Sequence, residues 1–236
     1  MILSAFLQNL SYSELSNTAM GMNGVGSIRE EDIPNIIGRT NMALLDIFTK
    51  FCLKENELIL ISKENVSLYP LRAEYAVNSS SGFPKYILDR PEKPFTGDVI
   101  KILAVFNEIG EELPFNDPEQ EHSVFSPQFD ILQLTETSYE KAYSVSYQAR
   151  HPILKKPTET LNYGSQLIDL PIALETALRY KVSAGIFSAM SGQEYSNIAQ
   201  ALDAKYEVLC SELENRNMVG QPSISTDLKL KHRGFP

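Results

Sequence analysis

Residues 169–216 read DLPIALETALRYKVSAGIFSAMSGQEYSNIAQALDAKYEVLCSELENR. Two helical patterns lie back to back in this stretch. The first covers 171–190. Asp169 is its expected N-cap, and Pro171 suits a first turn because an N–H is not needed there. Ala173, Ala177, Ala184, Gly185 and Ala189 punctuate this helix and permit close approach of another. Ser191-Gly192 is a natural stop. The second pattern covers 193–215, where Ile198, Leu202, Tyr206, Leu209 and Leu213 recur at three and four. Glu194, Asp203, Lys205, Glu207, Glu212 and Arg216 fall mostly elsewhere and are expected in water.

Outward from this hairpin, helix gives way to strand and returns near the N-terminus. Ile2, Leu3, Phe6, Leu7 and Leu10 mark a first helix over 2–10. Gly21, Gly24 and Gly26 predict a flexible loop. Ser27, Glu30, Asp32 and Pro34 are start signals for a helix over 31–53. Leu58-Ile59-Leu60-Ile61 reads as a buried strand, with 67–71 as its expected partner across a Lys63-Glu64-Asn65 turn. Further strands are expected at 99–106, 124–134 and 142–149. In the last, Tyr143, Val145 and Tyr147 alternate with Ser144, Ser146 and Gln148, the period of a half-buried strand. Residues 107–121 and 150–164 read as connections. The expected class is α+β. A mainly helical bundle of 1–55 and 160–216 carries a β-rich insertion, 56–159, and an extended C-terminal arm, 217–236.

The chain has 236 residues, 43% of them hydrophobic and 22% charged, enough for a core without disulfides or metals. Cys52 and Cys210 lie in helical patterns near apolar neighbours and are expected as reduced core thiols. The net charge of −9 disfavours a general nucleic-acid binder, which needs a basic face. No apolar run has the length of a membrane span, and the N-terminus lacks the charged start and cleavage site of a signal peptide. A soluble protein is expected, with no membrane partner.

Chemistry is sparse. His122, His151 and His232 have no second ligand at a metal-like spacing, so no metal is expected. The glycines at 21, 24 and 26 follow no strand and do not match a phosphate-binding fingerprint. No nucleophile elbow occurs. No catalytic residue and no cofactor is expected. Glu108, Glu111, Glu112, Asp117, Glu119 and Glu121 occur without an intervening Lys or Arg. They read as a solvated hairpin tip, with a surface that repels passing DNA as the sharper alternative. Near the C-terminus, Leu228, Leu230 and Phe235 alternate with Lys229, Lys231 and Arg233. That pattern can add a strand to a partner's sheet edge, or belong to a disordered end.

Three pieces carry a family resemblance. Tyr143-Ser144-Val145-Ser146-Tyr147-Gln148-Ala149-Arg150 runs into His151-Pro152. Ile168-Asp169-Leu170-Pro171 opens the alanine-rich helix with Tyr180, Ala184 and Gly185. A helix with Tyr206-Glu207 near its middle precedes an extended arm. With the early helix and the β insertion in this order, the chain resembles the head-to-tail connectors, or adaptors, of tailed bacteriophages, of the tail tubular protein A type. The resemblance implies a structural virion protein, not an enzyme. It implies a ring, usually of twelve copies, that joins the portal protein to a tail or nozzle protein. Genomic DNA would pass through without specific binding. The ring would assemble in the host cytoplasm and remain at the head–tail interface. The arm over 221–236 would dock on the portal or a neighbouring copy, and the acidic loop would face the channel or the tail. The alternatives are another tail-completion or minor capsid protein, a soluble partner-binding regulator, or an enzyme with an unrecognised site.

Overall fold

A computed structural model describes residues 1–135, 140–157 and 162–219. The chain is α+β and divides into two units, one of Met1–Leu53 with Ile153–Pro236 and one of Lys54–Pro152. The first is helical in its described part, and the second is built from antiparallel sheet.

The helical unit starts with α1 (Leu3–Tyr12), which buries Leu3, Phe6, Leu7 and Leu10. Its entry is held by a short antiparallel bridge between Ile2 and Leu167. Leu3 N donates to Gln166 O at 2.9 Å, and Ile168 N donates to Met1 O at 2.8 Å. The glycine-rich segment is not an open loop. Gly21 lies so close to α1's exit that a Cβ there would sit 2.2 Å from the Leu15 carbonyl oxygen. Ser11 Oγ donates to Gly21 O at 2.8 Å, so the segment folds back on the helix that precedes it. Glycine serves here for close approach of backbone rather than for mobility.

Helix α2 (Ile33–Lys50) has Pro34 in its first turn and buries Ile33, Ile36, Ile37, Ala43, Leu44, Ile47 and Phe48. It ends before Cys52, which is half-buried, whereas Cys210 is buried. The expected pair of core thiols is thus one core thiol and one at the edge, because Cys52 lies past the end of the helix. Helix α3 (Ile172–Phe187) is capped at Pro171 rather than at Asp169, since Pro171 takes extended dihedrals. Helix α4 (Gln193–Asn215) starts after Gly192, whose φ of +126° favours glycine. Its buried stripe is Ala199, Leu202, Tyr206, Cys210 and Leu213. Ile198 and Leu209 are half-buried at its borders, and the six charged residues expected in water are exposed.

In the β unit, β1 (Glu55–Ile61), β3 (Ile87–Leu88), β4 (Val99–Phe106) and β7 (Ala142–Ala149) form a sheet in the order β3-β1-β7-β4. The inner strand β7 turns Tyr143, Val145 and Tyr147 into the core, as its alternation predicts. Strand β4 instead buries Val99, Ile102 and Val105, every third residue. Its register against β7 shifts twice, between Val99 and Lys101 and between Ile102 and Ala104. Each irregularity adds a residue and re-aims the side chains that follow.

A second sheet of β2 (Leu68–Pro70), β6 (Ile131–Gln133) and β5 (Phe125–Gln128) corrects two expectations. Residues 67–71 do not pair with β1. The buried Tyr69 hydroxyl accepts from Lys63 N at 2.7 Å and donates to Val66 O at 2.9 Å, so the intervening turn wraps a phenol and β2 leaves for β6. Residues 124–134 are not one strand. They form the hairpin β5–β6, with Gln128 opposite Ile131 and a turn at Phe129-Asp130. Tyr69, Tyr75 and Tyr86 pack as an aromatic cluster, with centroids 5.1 Å apart for Tyr69–Tyr86 and 4.9 Å for Tyr75–Tyr86. The Tyr86 hydroxyl donates to Pro70 O at 2.8 Å, which satisfies its polar end.

Candidate functional site

Two surfaces stand out, one in each unit. In the helical unit, α2, α3 and α4 enclose a groove of about 480 Å³. Its floor is Ala43, Ala184, Gly185 and Ala199, so the small residues of α3 open a cleft instead of only admitting a neighbour. The two ends of the groove differ electrostatically. At one end Lys181 Nζ meets Asp203 Oδ1 at 2.9 Å and Asp46 Oδ2 at 3.6 Å. The Tyr206 hydroxyl donates to the same Asp46 oxygen at 2.7 Å. Lys181 also lies 4.6 Å from the Tyr206 ring centroid, within cation–π range. The other end holds Arg39, about two turns of α2 away. Arg39 is half-buried and makes no hydrogen bond or ion pair among the described residues. Its stem passes Gly185, where a Cβ would lie 3.5 Å from Arg39 Cδ. Met42, 68% exposed, stands on the rim between them.

The pKa shifts follow this layout. Burial opposes the Lys181 ammonium, but the hydrogen bond to Asp203 and the charge of Asp46 outweigh it and hold it above the usual lysine range. Lys50 behaves alike: burial opposes its charge, and Glu207, whose Oε2 accepts at 2.6 Å, outweighs it. Burial first, then the bond to Asp46, drive the Tyr206 phenol far above its usual range. Burial also raises the Cys210 thiol, which keeps it protonated and a poor nucleophile.

In the β unit, the acidic segment is folded. Asn107 organises its first part: Oδ1 accepts from Ile109 N at 3.1 Å and from Glu111 N at 2.9 Å. Gly110 N donates to Asn107 O at 3.0 Å, and Gly110 takes a φ of +81°. Leu113 N then donates to Val105 O at 2.8 Å, which lays the chain back along β4. The turn holds Ile109 at its tip, 77% exposed, with Glu108, Glu111 and Glu112 around it. Asp117 is a structural carboxylate, accepting from Glu119 N at 3.0 Å and from Gln120 Nε2 at 2.6 Å. Glu108 accepts from Ala142 N at 2.8 Å. Glu119 and Glu121 are exposed further along. Glu108 and Asp117 therefore brace backbone, while all of the six but Asp117 are exposed and form an open acidic surface.

Other predicted positions resolve individually. His122 is exposed at a φ of +60°, and His151 is buried with Nδ1 2.6 Å from Pro152 O. Among the described residues no group of three or more His, Cys, Asp and Glu is arranged to hold a metal. None of the described helices is long and apolar enough to cross a membrane. His232 and the arm residues Leu228, Lys229, Leu230, Lys231, Arg233 and Phe235 lie outside the described residues. Sequence reading missed the groove and Arg39. The only signal was an arginine among the apolar residues of α2, and that alone does not distinguish a lip from a solvated face. No family model matches the chain, and no curated protein matches it.

Proposed function

We propose that this chain is a structural virion protein: a head-to-tail adaptor of a tailed bacteriophage, which joins the portal to the tail as a ring of twelve copies. One observation carries the reading. The chain builds α1 and α2, leaves to form the β unit Lys54–Pro152, and returns for α3 and α4. The first strand of chain is tied to the returning one through Ile2 and Leu167, and Arg179 of α3 donates to Ser13 beyond α1 at 3.0 Å. This interleaved order is the layout of the connector family that the chain resembles. In the proposal the terminal helices act as one bundle facing neighbouring copies, and the β unit faces the tail. The exposed Glu119 and Glu121 and the net charge of −9 suit a channel wall, because like charge keeps DNA from adhering as it slides. The arm over 221–236, with its alternating apolar and basic residues, docks on the portal by strand addition.

The test is electron microscopy of the chain mixed with the portal protein encoded beside it. The expected result is a second ring stacked on the portal, lost when 223–236 are deleted while the truncated chain keeps its helical circular dichroism. Two species that never associate would overturn the adaptor reading. Full attachment by the truncated chain would overturn the role of the arm alone.

A further inference from the structure

We infer that the acidic turn of one copy seats in the α2–α3–α4 groove of the next, with Ile109 as the anchor and Arg39 as the cation that receives its carboxylates. The inference rests on the ring part of the proposed function and names the contact that would build it.

Each half of the contact is incomplete alone. The groove has an apolar floor and a half-buried guanidinium without a partner among the described residues. A guanidinium held against an apolar wall is best satisfied by a carboxylate, which it can grip with two parallel bonds. The β unit offers the reverse. Ile109 stands 77% exposed at a tip where a polar residue would serve the turn as well. The bonds to Asn107 and the left-handed Gly110 fix that tip before any partner arrives, which lowers the ordering cost of docking. A rigid apolar anchor ringed by acids matches an apolar cleft with one unmatched cation.

The polarity of the groove also sets the direction of entry. Asp46 and Asp203 at the far end would repel Glu111 and Glu112, and Lys181 there is already shared between those aspartates. The carboxylates are therefore directed to the Arg39 end. At about 480 Å³ the cleft admits the tip of a turn rather than a single side chain. The contact joins two different patches of one chain, so it is heterologous. Contacts of that kind propagate head to tail and close into rings when the rotation between copies allows.

The experiment uses the full chain in a Cys52→Ser background. Met42→Cys protein and Ile109→Cys protein are prepared separately, mixed at high concentration and oxidised. A disulfide-linked heterodimer that forms in the mixture, and in neither protein alone, is the expected result. No heterodimer, or equal self-linking of either single variant, overturns the inference. Sedimentation supplies the second measurement. Ile109→Asp, an exposed change, and Arg39→Glu should each weaken self-association by about tenfold or more. Arg39→Glu combined with Glu111→Arg and Glu112→Arg should recover most of that loss. Unaltered rings in Ile109→Asp would overturn this contact and leave the adaptor reading intact. Ring loss with portal binding retained would support the contact independently of the portal step.

Discussion

The helical unit and the acidic segment of the β unit use their polar side chains in opposite ways. In the helical unit they join elements far apart in the chain: Tyr206 to Asp46 across 160 residues, Lys50 to Glu207 across 157, and Asn41 to Leu154 across 113. In the acidic segment they bind backbone a few residues away, as Asn107 does with Ile109 and Glu111, and Asp117 with Glu119. The difference teaches where rigidity comes from. Helices carry their own backbone bonds and need side chains only to fix how they pack. An irregular loop has no ladder, so its backbone donors must be met by Asn and Asp. The helices are locked by packing and the acidic segment by local bonding, and perturbations should separate them.

The largest expected effect is Tyr206→Ala. Tyr206 is fully buried and central to α4, so its loss should cost about 3–5 kcal/mol. The ion pair of Lys50 with Glu207 is more than half exposed on the glutamate side and contributes at most about 1 kcal/mol. Packing therefore dominates the charge network. Urea denaturation followed by helical circular dichroism checks this, and a loss no greater for Tyr206→Ala than for Glu207→Ala would break the comparison.

Next in size is a matched pair on α3. Ala177 is fully buried, whereas Ala184 borders the groove. Ala177→Leu should overpack and cost about 1–3 kcal/mol. Ala184→Leu should cost less, because its added atoms can enter the cleft. Melting temperatures of the two variants measure the difference, and equal losses would mean the groove closes in solution.

Dependence on pH sharpens the contrast further. Lys50, Lys181 and Tyr206 all have folded-state pKa values above their ordinary ones. In alkali the folded unit then binds more protons than the unfolded chain, so stability falls as pH rises. This contribution is intact below the unfolded values near about 10 and is lost as pH climbs through the folded ones. Tyr206→Phe should show a shallower alkaline decline in melting temperature. Tyr86 and Tyr147 are raised by burial in the β unit as well, so the acid side discriminates better. There, burial opposes the Asp89 carboxylate, but backbone bonds from Asn78 and Phe95 outweigh it and hold it below the usual range. Its contribution is present above about pH 4 and is lost as pH falls through the folded value. Asp89→Asn should flatten the acid decline of the 78–95 segment, followed by hydrogen exchange.

The smallest effect on stability is expected from Asn107→Ala, within about 0.5 kcal/mol overall because the turn is exposed. Its effect should be local: faster amide exchange at Ile109 and Glu111, with the helical unit unchanged. An unchanged exchange rate would mean that backbone bonds alone hold the tip.

By itself the sequence determined the α+β class, the run of helices, then strands, then helices along the chain, and the extents of α4 and β4. Those are properties of periodicity within one segment, and periodicity is local. It also marked the acidic stretch and the helix stop at Gly192. Tertiary structure alone decided the rest. Ser67 to Leu71 looked like a hairpin partner of β1, but burial of Tyr69 drew β2 to β6. Two bulges turned β4 to a spacing of three, which no alternation rule foresees. Arg39 became a groove lip only because Gly185 and Ala184, on another helix, left room beside it. The physical reason is common to all three. A segment's own residues set its local conformation, whereas the partner of a buried surface depends on which distant surface matches it in shape and charge.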